Sequence, residues 1–449
     1  MHVLFVSASQ EPFSKGPAAE ICAALPKGLG SLDVTVSVLT PLYQNIDPQT
    51  HSLARRLTKI DVSYNGNDYA CELYTGRTVS GVSVLFVGHE TLFHEVTSLD
   101  DGDDEATATR AQVFAKAVIG AIAMLDTAVD VVHGHGWVGA TALSALREAG
   151  SDTPQVLTVH DRDGRSFPAS TGLEDPLRNG AQGAARVTVG SSRYGRELQS
   201  TLGLSAEVVG IPDGIDAAHW NPITDSHLPA RFDPVDLTGK RRCKAELQRQ
   251  LGLPVRPEVP LLAVDGNLGG DDGLALLVKV ASELLRNDVQ FAVFTGAGED
   301  GALVAAYEEL WDRWPDRIQV RTEADSELRH RVYGGADLLL VGDQQAPSGR
   351  DAMRAHRYGV LPIVHDTGAL ADVVVDCDAK LQTGSGFLFA PFDAEALLGT
   401  VRRAFAAYSD LQAFAALSQR VMRIDHSWDR AARLYDRLYA SLFEEEEAE

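Results

Sequence analysis

The residues best suited to chemistry lie in Val264-Asp265-Gly266-Asn267-Leu268-Gly269-Gly270-Asp271-Asp272-Gly273, where an apolar strand opens through glycines into a helix. Such a turn is a ready anion site, because unsatisfied backbone N–H groups and the helix dipole both favour negative charge. A diphosphate binder adds Arg or Lys there, since charge-assisted hydrogen bonds are the strong ones. Here those places hold Asn267 and Asp272, a phosphate cradle without cations and with an added carboxylate. A second turn, Gly296-Ala297-Gly298-Glu299, follows another apolar run, but a glycine pair after a strand is weak evidence of binding by itself. His160 also ends an apolar run, where a lone histidine is usually a hydrogen-bonded structural residue. No Ser-His-Asp set is recognisable, and Cys22, Cys71, Cys243 and Cys377 are too far apart for a zinc ribbon or a redox pair. No metal and no cofactor is therefore expected, and the cysteines are expected to be free and mostly buried.

These residues must be positioned by short β-branched runs that alternate with longer segments of helical period, the pattern of parallel sheets built from βαβ units. Strands are predicted in the first half at residues 2–8, 34–40, 82–87, 130–133, 155–160 and 186–190. In the second half they are predicted at 260–264, 290–295, 317–321, 337–341 and 361–365, with Phe387-Leu388-Phe389 as a further apolar strand. Two Rossmann-like halves are implied. The expected division is a first domain over 1–222, a linker over 223–239 rich in Pro, Asp and turn formers, a second domain over 240–425, and a closing helix with an acidic tail over 426–449.

A chain of 449 residues is long enough for two domains, each with its own core. The formal net charge of −23 opposes binding to nucleic acid and to anionic membrane surfaces, although solubility alone accounts for such a charge. No run approaches the roughly 18 apolar residues that span a bilayer. Met1-His2-Val3-Leu4-Phe5-Val6 leads straight into a strand without a signal-peptide pattern, so a cytoplasmic protein is expected. The runs at 100–105 and 444–449 read as solvated acidic segments.

Several segments in order go beyond fold class. They are Phe5-Val6-Ser7-Ala8 with Pro12-Phe13-Ser14-Lys15, Asp130-Val131-Val132-His133-Gly134-His135-Gly136-Trp137, Leu157-Thr158-Val159-His160, and Gly214-Ile215-Asp216 with Trp220-Asn221-Pro222. Further on come Ala355-His356-Arg357-Tyr358-Gly359, Thr367-Gly368 with Leu370-Ala371-Asp372, and Ser427-Trp428. Together they resemble the bacterial glycogen synthases and plant starch synthases over nearly the whole chain. The resemblance implies an α/β fold of GT-B type, two facing Rossmann-like domains with a C-terminal crossover helix. It also implies metal-free, retaining transfer of glucose from ADP-glucose to an α-1,4-glucan. Of the site residues, it assigns the catalytic positions to His160, Asn267, Asp272 and Ala346. It places Lys15, Gly16, Gly296, Gly298, Gly349, Thr367 and Gly368 at the nucleotide sugar, and Glu20, Gly136, Trp137 and Asp213 on the acceptor side.

The chain departs from the family where the chemistry lies. The first loop of the family reads Lys-Thr-Gly-Gly-Leu-Ala-Asp; here Lys15-Gly16-Pro17-Ala18-Ala19-Glu20 is one residue shorter, and Pro17 removes an N–H donor. The family's Arg-Leu-x-x-Gln-Lys-Gly aligns on residues 267–273, so Asn267 and Asp272 replace its two cations. Each lost charge-assisted hydrogen bond forfeits about 1.5–3 kcal/mol. Its Glu-Pro-Cys-Gly-Leu becomes Ala346-Pro347-Ser348-Gly349-Arg350, which deletes a carboxylate and adds an arginine expected to face solvent. Gly136 stands for an aspartate and Asp213 for an asparagine, and after His160 the sequence Asp161-Arg162-Asp163-Gly164-Arg165-Ser166 replaces acceptor-side aromatic surface.

Three readings follow. The leading one is a pseudo-glycosyltransferase of glucan metabolism, catalytically degraded and retained for binding or regulation, with α-glucan, a nucleotide sugar, an active synthase subunit or another protein as partner. The second is an active glucosyltransferase with altered donor use, in which Lys15, His160 and Arg350 assemble a substitute site. The third is an interaction-only scaffold. Oligomeric state is not legible in the sequence.

Overall fold

The computed structural model describes the chain except residues 17, 161–170, 172, 174, 205–207, 266–270, 296–300, 323–324, 345 and 445–449; the side chains of 265, 271 and 272 are also undescribed. The chain forms two compact units, Met1–Asp213 with Trp428–Glu449, and Gly214–Ser427.

In the first unit the described sheet runs Val208–Gly210, Arg186–Val189, Gln155–Val159, Val131–His135, His2–Val6, Thr35–Pro41, Ser83–Gly88, Asn67–Arg77 and Ala54–Arg55. The strands from Val208–Gly210 through Ser83–Gly88 pair in parallel, and buried helices explain their continuous apolar runs. Beyond Ser83–Gly88 the sheet continues antiparallel through Asn67–Arg77, which also pairs with Ile60–Tyr64. This hairpin was not among the expected strands. Its turn residues Asn65 and Gly66 have φ of 49° and 73°, the left-handed pair that a two-residue hairpin requires.

The closing helix Trp428–Glu444 belongs to this first unit. It buries Trp428, Ala432, Tyr435 and Tyr439 against the core and crosses the helix Ala19–Gly30. A Cβ added at Gly28 would lie 2.8 Å from the Ala432 Cβ, so the crossing depends on a glycine there.

The second unit holds a parallel sheet in the order Ile318–Arg321, Gln290–Phe294, Leu261–Asp265, Leu338–Val341, Leu361–His365 and Phe387–Phe389. In chain order this is 3-2-1-4-5-6, the Rossmann arrangement. Residues 223–239, expected as a linker, fold into this unit instead: Leu228 and Phe232 are buried in its core beside Trp220. The Pro- and Asp-rich composition builds fixed turns rather than a tether. Asn221, Asp225, Asp233 and Asp236 each accept from the backbone N–H two residues on. The units therefore meet in sequence at Asp213–Gly214, ahead of the expected boundary.

Candidate functional site

In open α/β sheets ligands sit at the carboxyl ends of strands where the strand order reverses. The first unit reverses between His2–Val6 and Val131–His135, which pair in register from Val3 with Val131. After the first of these strands Lys15 and Gly16 are exposed, and the helix Ala19–Gly30 follows with Glu20 in its first turn. Ala18 caps that helix without a side-chain hydrogen bond, so its first N–H groups are not satisfied by the cap residue. Pro17 lies outside the described residues.

The second strand carries His133 and His135 two residues apart, which places both rings on one face of the sheet. The His133 and His135 rings stack at 4.2 Å between centroids, and His135 stacks in turn on His160 at 5.2 Å. His135 Nδ1 and His160 Nε2 are 2.9 Å apart, within hydrogen-bond distance. His133 is fully engaged: Nδ1 lies 2.7 Å from the Tyr439 hydroxyl and Nε2 lies 2.6 Å from the Thr158 hydroxyl. Thr158 in turn meets the Thr188 and Tyr435 hydroxyls at 2.5 and 3.2 Å. A buried polar network thus ties the closing helix to the strand Gln155–Val159, which ends one residue before His160.

Burial sets the charge of this network. Desolvation holds the His135 imidazole down to about 3, and it holds His133 well below the usual histidine range with the neighbouring imidazoles adding to the shift. Both rings are neutral at pH 7. His135 Nε2 is buried without a hydrogen-bond partner among the described residues. Burial pushes the Tyr435 phenol up to about 12, and Asp213 adds to that shift. Asp213 is therefore placed near the closing helix of its own unit. Gly136 opens the helix Gly136–Glu148 at φ 64°, and Trp137 packs on Ala108, Ala111 and Leu173. His160, Gly136 and Trp137 were expected at the site from the sequence, whereas His133 and His135 stood in the same motif without a site role and Tyr439 was not singled out; the His-x-His spacing on a strand was the available signal.

The second unit reverses strand order between Leu261–Asp265 and Leu338–Val341. Asn267, Gly296 and Gly298 lie outside the described residues, and Asp272 is described only as part of the helix Asp271–Leu284. The next residue of that helix packs on the loop after Leu338–Val341: a Cβ added at Gly273 would lie 2.8 Å from the Gly342 Cα. Only glycine at both places allows this backbone approach.

Beyond the next two strand ends, Ala346, Gly349, Thr367 and Gly368 come together. Ala346 is completely buried, and its carbonyl accepts the Ala369 N–H at 2.8 Å. Gly368 has φ 45°, and a Cβ there would lie 2.1 Å from the Ala346 oxygen. Gly349 packs as closely, with a Cβ position 2.7 Å from a Val373 methyl carbon. Thr367 is buried ahead of the short helix Gly368–Val373. Arg350, expected to face solvent, is partly buried, and its Nε donates to the Ser348 hydroxyl at 3.1 Å. Among the described residues no group of three or more His, Cys, Asp or Glu is placed to hold a metal ion. None of the described helices is long and apolar enough to cross a membrane. Cys22, Cys71, Cys243 and Cys377 are all free and buried.

Residues 2–207 match the family model described as starch synthase catalytic domain. The whole chain is 35% identical to the glycogen synthase of Anaeromyxobacter sp. (strain Fw109-5), covering 98% of this chain and 99% of that one. The chain belongs to the glycogen synthase family. The glycogen synthase of Bacillus cereus (strain Q1) is 31% identical, covering 99% of this chain and 100% of its own. Among solved structures, the catalytic domain of starch synthase IV from Arabidopsis thaliana superposes with a TM-score of 0.86 at 25% identity, over 98% of this chain and 99% of that one. That structure is bound to ADP and acarbose. Anabaena HepE in complex with UDP and glucose aligns over 98% of this chain and 100% of that one with a TM-score of 0.59 at 16% identity, which bears on the fold alone. The fold of this glycogen synthase-family chain is that of the GT-B glycosyltransferases.

Proposed function

We propose that this glycogen synthase-family protein is a pseudo-glycosyltransferase: it keeps the glucosyltransferase fold and serves glucan metabolism in the cytoplasm by binding, while transferring glucose from ADP-glucose poorly. Ala346 carries the proposal. It occupies the place where the family resemblance expects a glutamate beside the transferred sugar, and it is a fully buried methyl group. A methyl group supplies neither a hydrogen-bond acceptor nor a negative charge to an oxocarbenium-like transition state. The sequence differences at Asn267 and Asp272 act in the same direction, because departure of a diphosphate needs cations. Arginine-finger losses, about 10³–10⁵ in rate, give the scale for a missing transition-state cation. The retained partners in this reading are an α-glucan or an active synthase subunit.

A second reading, an active transferase with altered donor use, is favoured by His160, which stands beside His135 with a 2.9 Å contact, and by the exposed Lys15. Calorimetric titration with ADP and ADP-glucose separates the two. Absence of detectable nucleotide binding supports the pseudo-glycosyltransferase. Micromolar binding that is lost in Lys15→Ala supports the active enzyme instead.

A further inference from the structure

In the first unit a step repeated along two neighbouring strands pairs four polar side chains. Val131–His135 and Gln155–Val159 run parallel, with His133 in register with Val156 and His135 with Thr158. Side chains two residues apart on a strand share a face. His133 reaches the Thr158 hydroxyl, two residues beyond its own register partner, and His135 reaches His160 by the same step. The two pairs differ in one respect. His133 meets a hydroxyl at each ring nitrogen, and a hydroxyl can donate or accept, so nothing there dictates the tautomer. His135 meets another imidazole at Nδ1, and its Nε2 has no partner among the described residues.

A neutral imidazole carries one N–H and one lone pair, and the bond made by one nitrogen sets the role of the other. His135 is 2% exposed, packs on the rings of Phe5 and His133 at 4.6 and 4.2 Å, and is kept neutral by its burial. The planes of His135 and His160 lie within 7° of each other, which lets an N–H of one ring point along the lone pair of the other. With its proton on Nε2, His135 would bury an N–H that has no acceptor. With the proton on Nδ1, that N–H is used in the 2.9 Å contact and only a lone pair is left over. Orphaned buried N–H groups are rare in folded proteins, and under-satisfied acceptors are less so.

We propose that His135 is a positioning residue for His160: it holds its proton on Nδ1, donates it to His160 Nε2, and thereby fixes the His160 proton on Nδ1. To a ligand oxygen His160 then offers an N–H and not a lone pair. An acceptor such as a sugar hydroxyl or a phosphate oxygen is received, and His160 is removed as a general base. The orienting partner of a catalytic triad acts on its histidine in the same way, by selecting a tautomer. That His160 meets a ligand rests on the family resemblance; its tautomer does not, and it holds for the binding protein and the active transferase alike.

The test is solid-state nitrogen-15 NMR of the full chain with ring-labelled histidine at neutral pH, where protonated and unprotonated ring nitrogens resonate far apart. The chain has 13 histidines, so the signals of the two rings are assigned by their loss in His160→Gln and in His135→Asn. In wild type both rings are expected in the Nδ1–H form, the reverse of the Nε2–H form that a free neutral histidine prefers. In His135→Phe, and independently in His135→Gln, whose amide reaches the Nε2 place instead, the His160 proton is expected to move to Nε2. His135→Asn sets an amide N–H at the Nδ1 place and is expected to keep the His160 proton on Nδ1. A wild-type His160 proton on Nε2 overturns the assignment, as does an unchanged His160 pattern in folded His135→Phe or His135→Gln.

Discussion

Lowering the pH from 7 to 5 must destabilise the first unit through its buried imidazoles, and His135 sets the scale. Its folded value is about 3, against an ordinary value near 6.5 for the unfolded chain. Between these values the unfolded state binds the proton and the folded state does not, so stability rises with pH throughout that window. The contribution is complete above about pH 6.5 and is lost as pH falls toward the folded value. By pH 5 one such group costs about 2 kcal/mol, roughly a thirtyfold shift toward the unfolded state. His133 is shifted in the same direction and adds to the loss. Most ordinary carboxylates titrate below pH 5, so this interval isolates the histidines. Guanidinium titration at pH 7 and pH 5 measures the change, and hydrogen exchange of the peptide containing Val131–His135 assigns it to this unit. In His135→Gln the pH-dependent loss is expected to shrink by about 2 kcal/mol. An equal loss in wild type and variant refutes the burial argument.

Tyr439→Phe removes the hydroxyl that faces His133 and leaves a buried ring nitrogen unpaired. It is expected to cost about 1–3 kcal/mol and to raise hydrogen exchange in Trp428–Glu444 selectively. In the second unit, Asp225 accepts from the Tyr358 hydroxyl at 2.6 Å and contacts His330 at 2.7 Å, all three buried. Asp225→Ala strands both partners, and a chemical melt should register a loss of about 3–5 kcal/mol, far more than Asp236→Ala at an exposed turn. Gly368→Ala drives a Cβ into the Ala346 carbonyl at a left-handed residue, and a fall in melting temperature corresponding to at least about 2 kcal/mol is expected.

The parallel strands were legible because strands buried on both faces must be continuously apolar, and those runs recur between helical segments in both units. The hairpin Ile60–Tyr64 to Asn67–Arg77 was legible in principle through Asn65-Gly66, but its half-exposed strands lack such a run. Residues 223–239 misled because Asp and Pro mark both loose tethers and tight turns, and only burial of Leu228 and Phe232 distinguishes them. The histidine network was half legible: the spacing of His133 and His135 is local, but Tyr439 is 306 residues away, and no local pattern encodes such a pairing. Ala346 and Gly368 were read one by one from the resemblance, while their backbone contact is a property of the folded sheet ends. Asn267, Gly296 and Gly298, to which only the resemblance gives a place in the site, fall outside the described residues.

Turnover with ADP-glucose and glycogen tests the central claim most directly. A buried methyl at Ala346, with Asn267 and Asp272 in place of cations, predicts transfer at least about a thousandfold below a typical enzyme median near 10 s⁻¹. Turnover within about tenfold of that median would contradict the account and establish an active synthase.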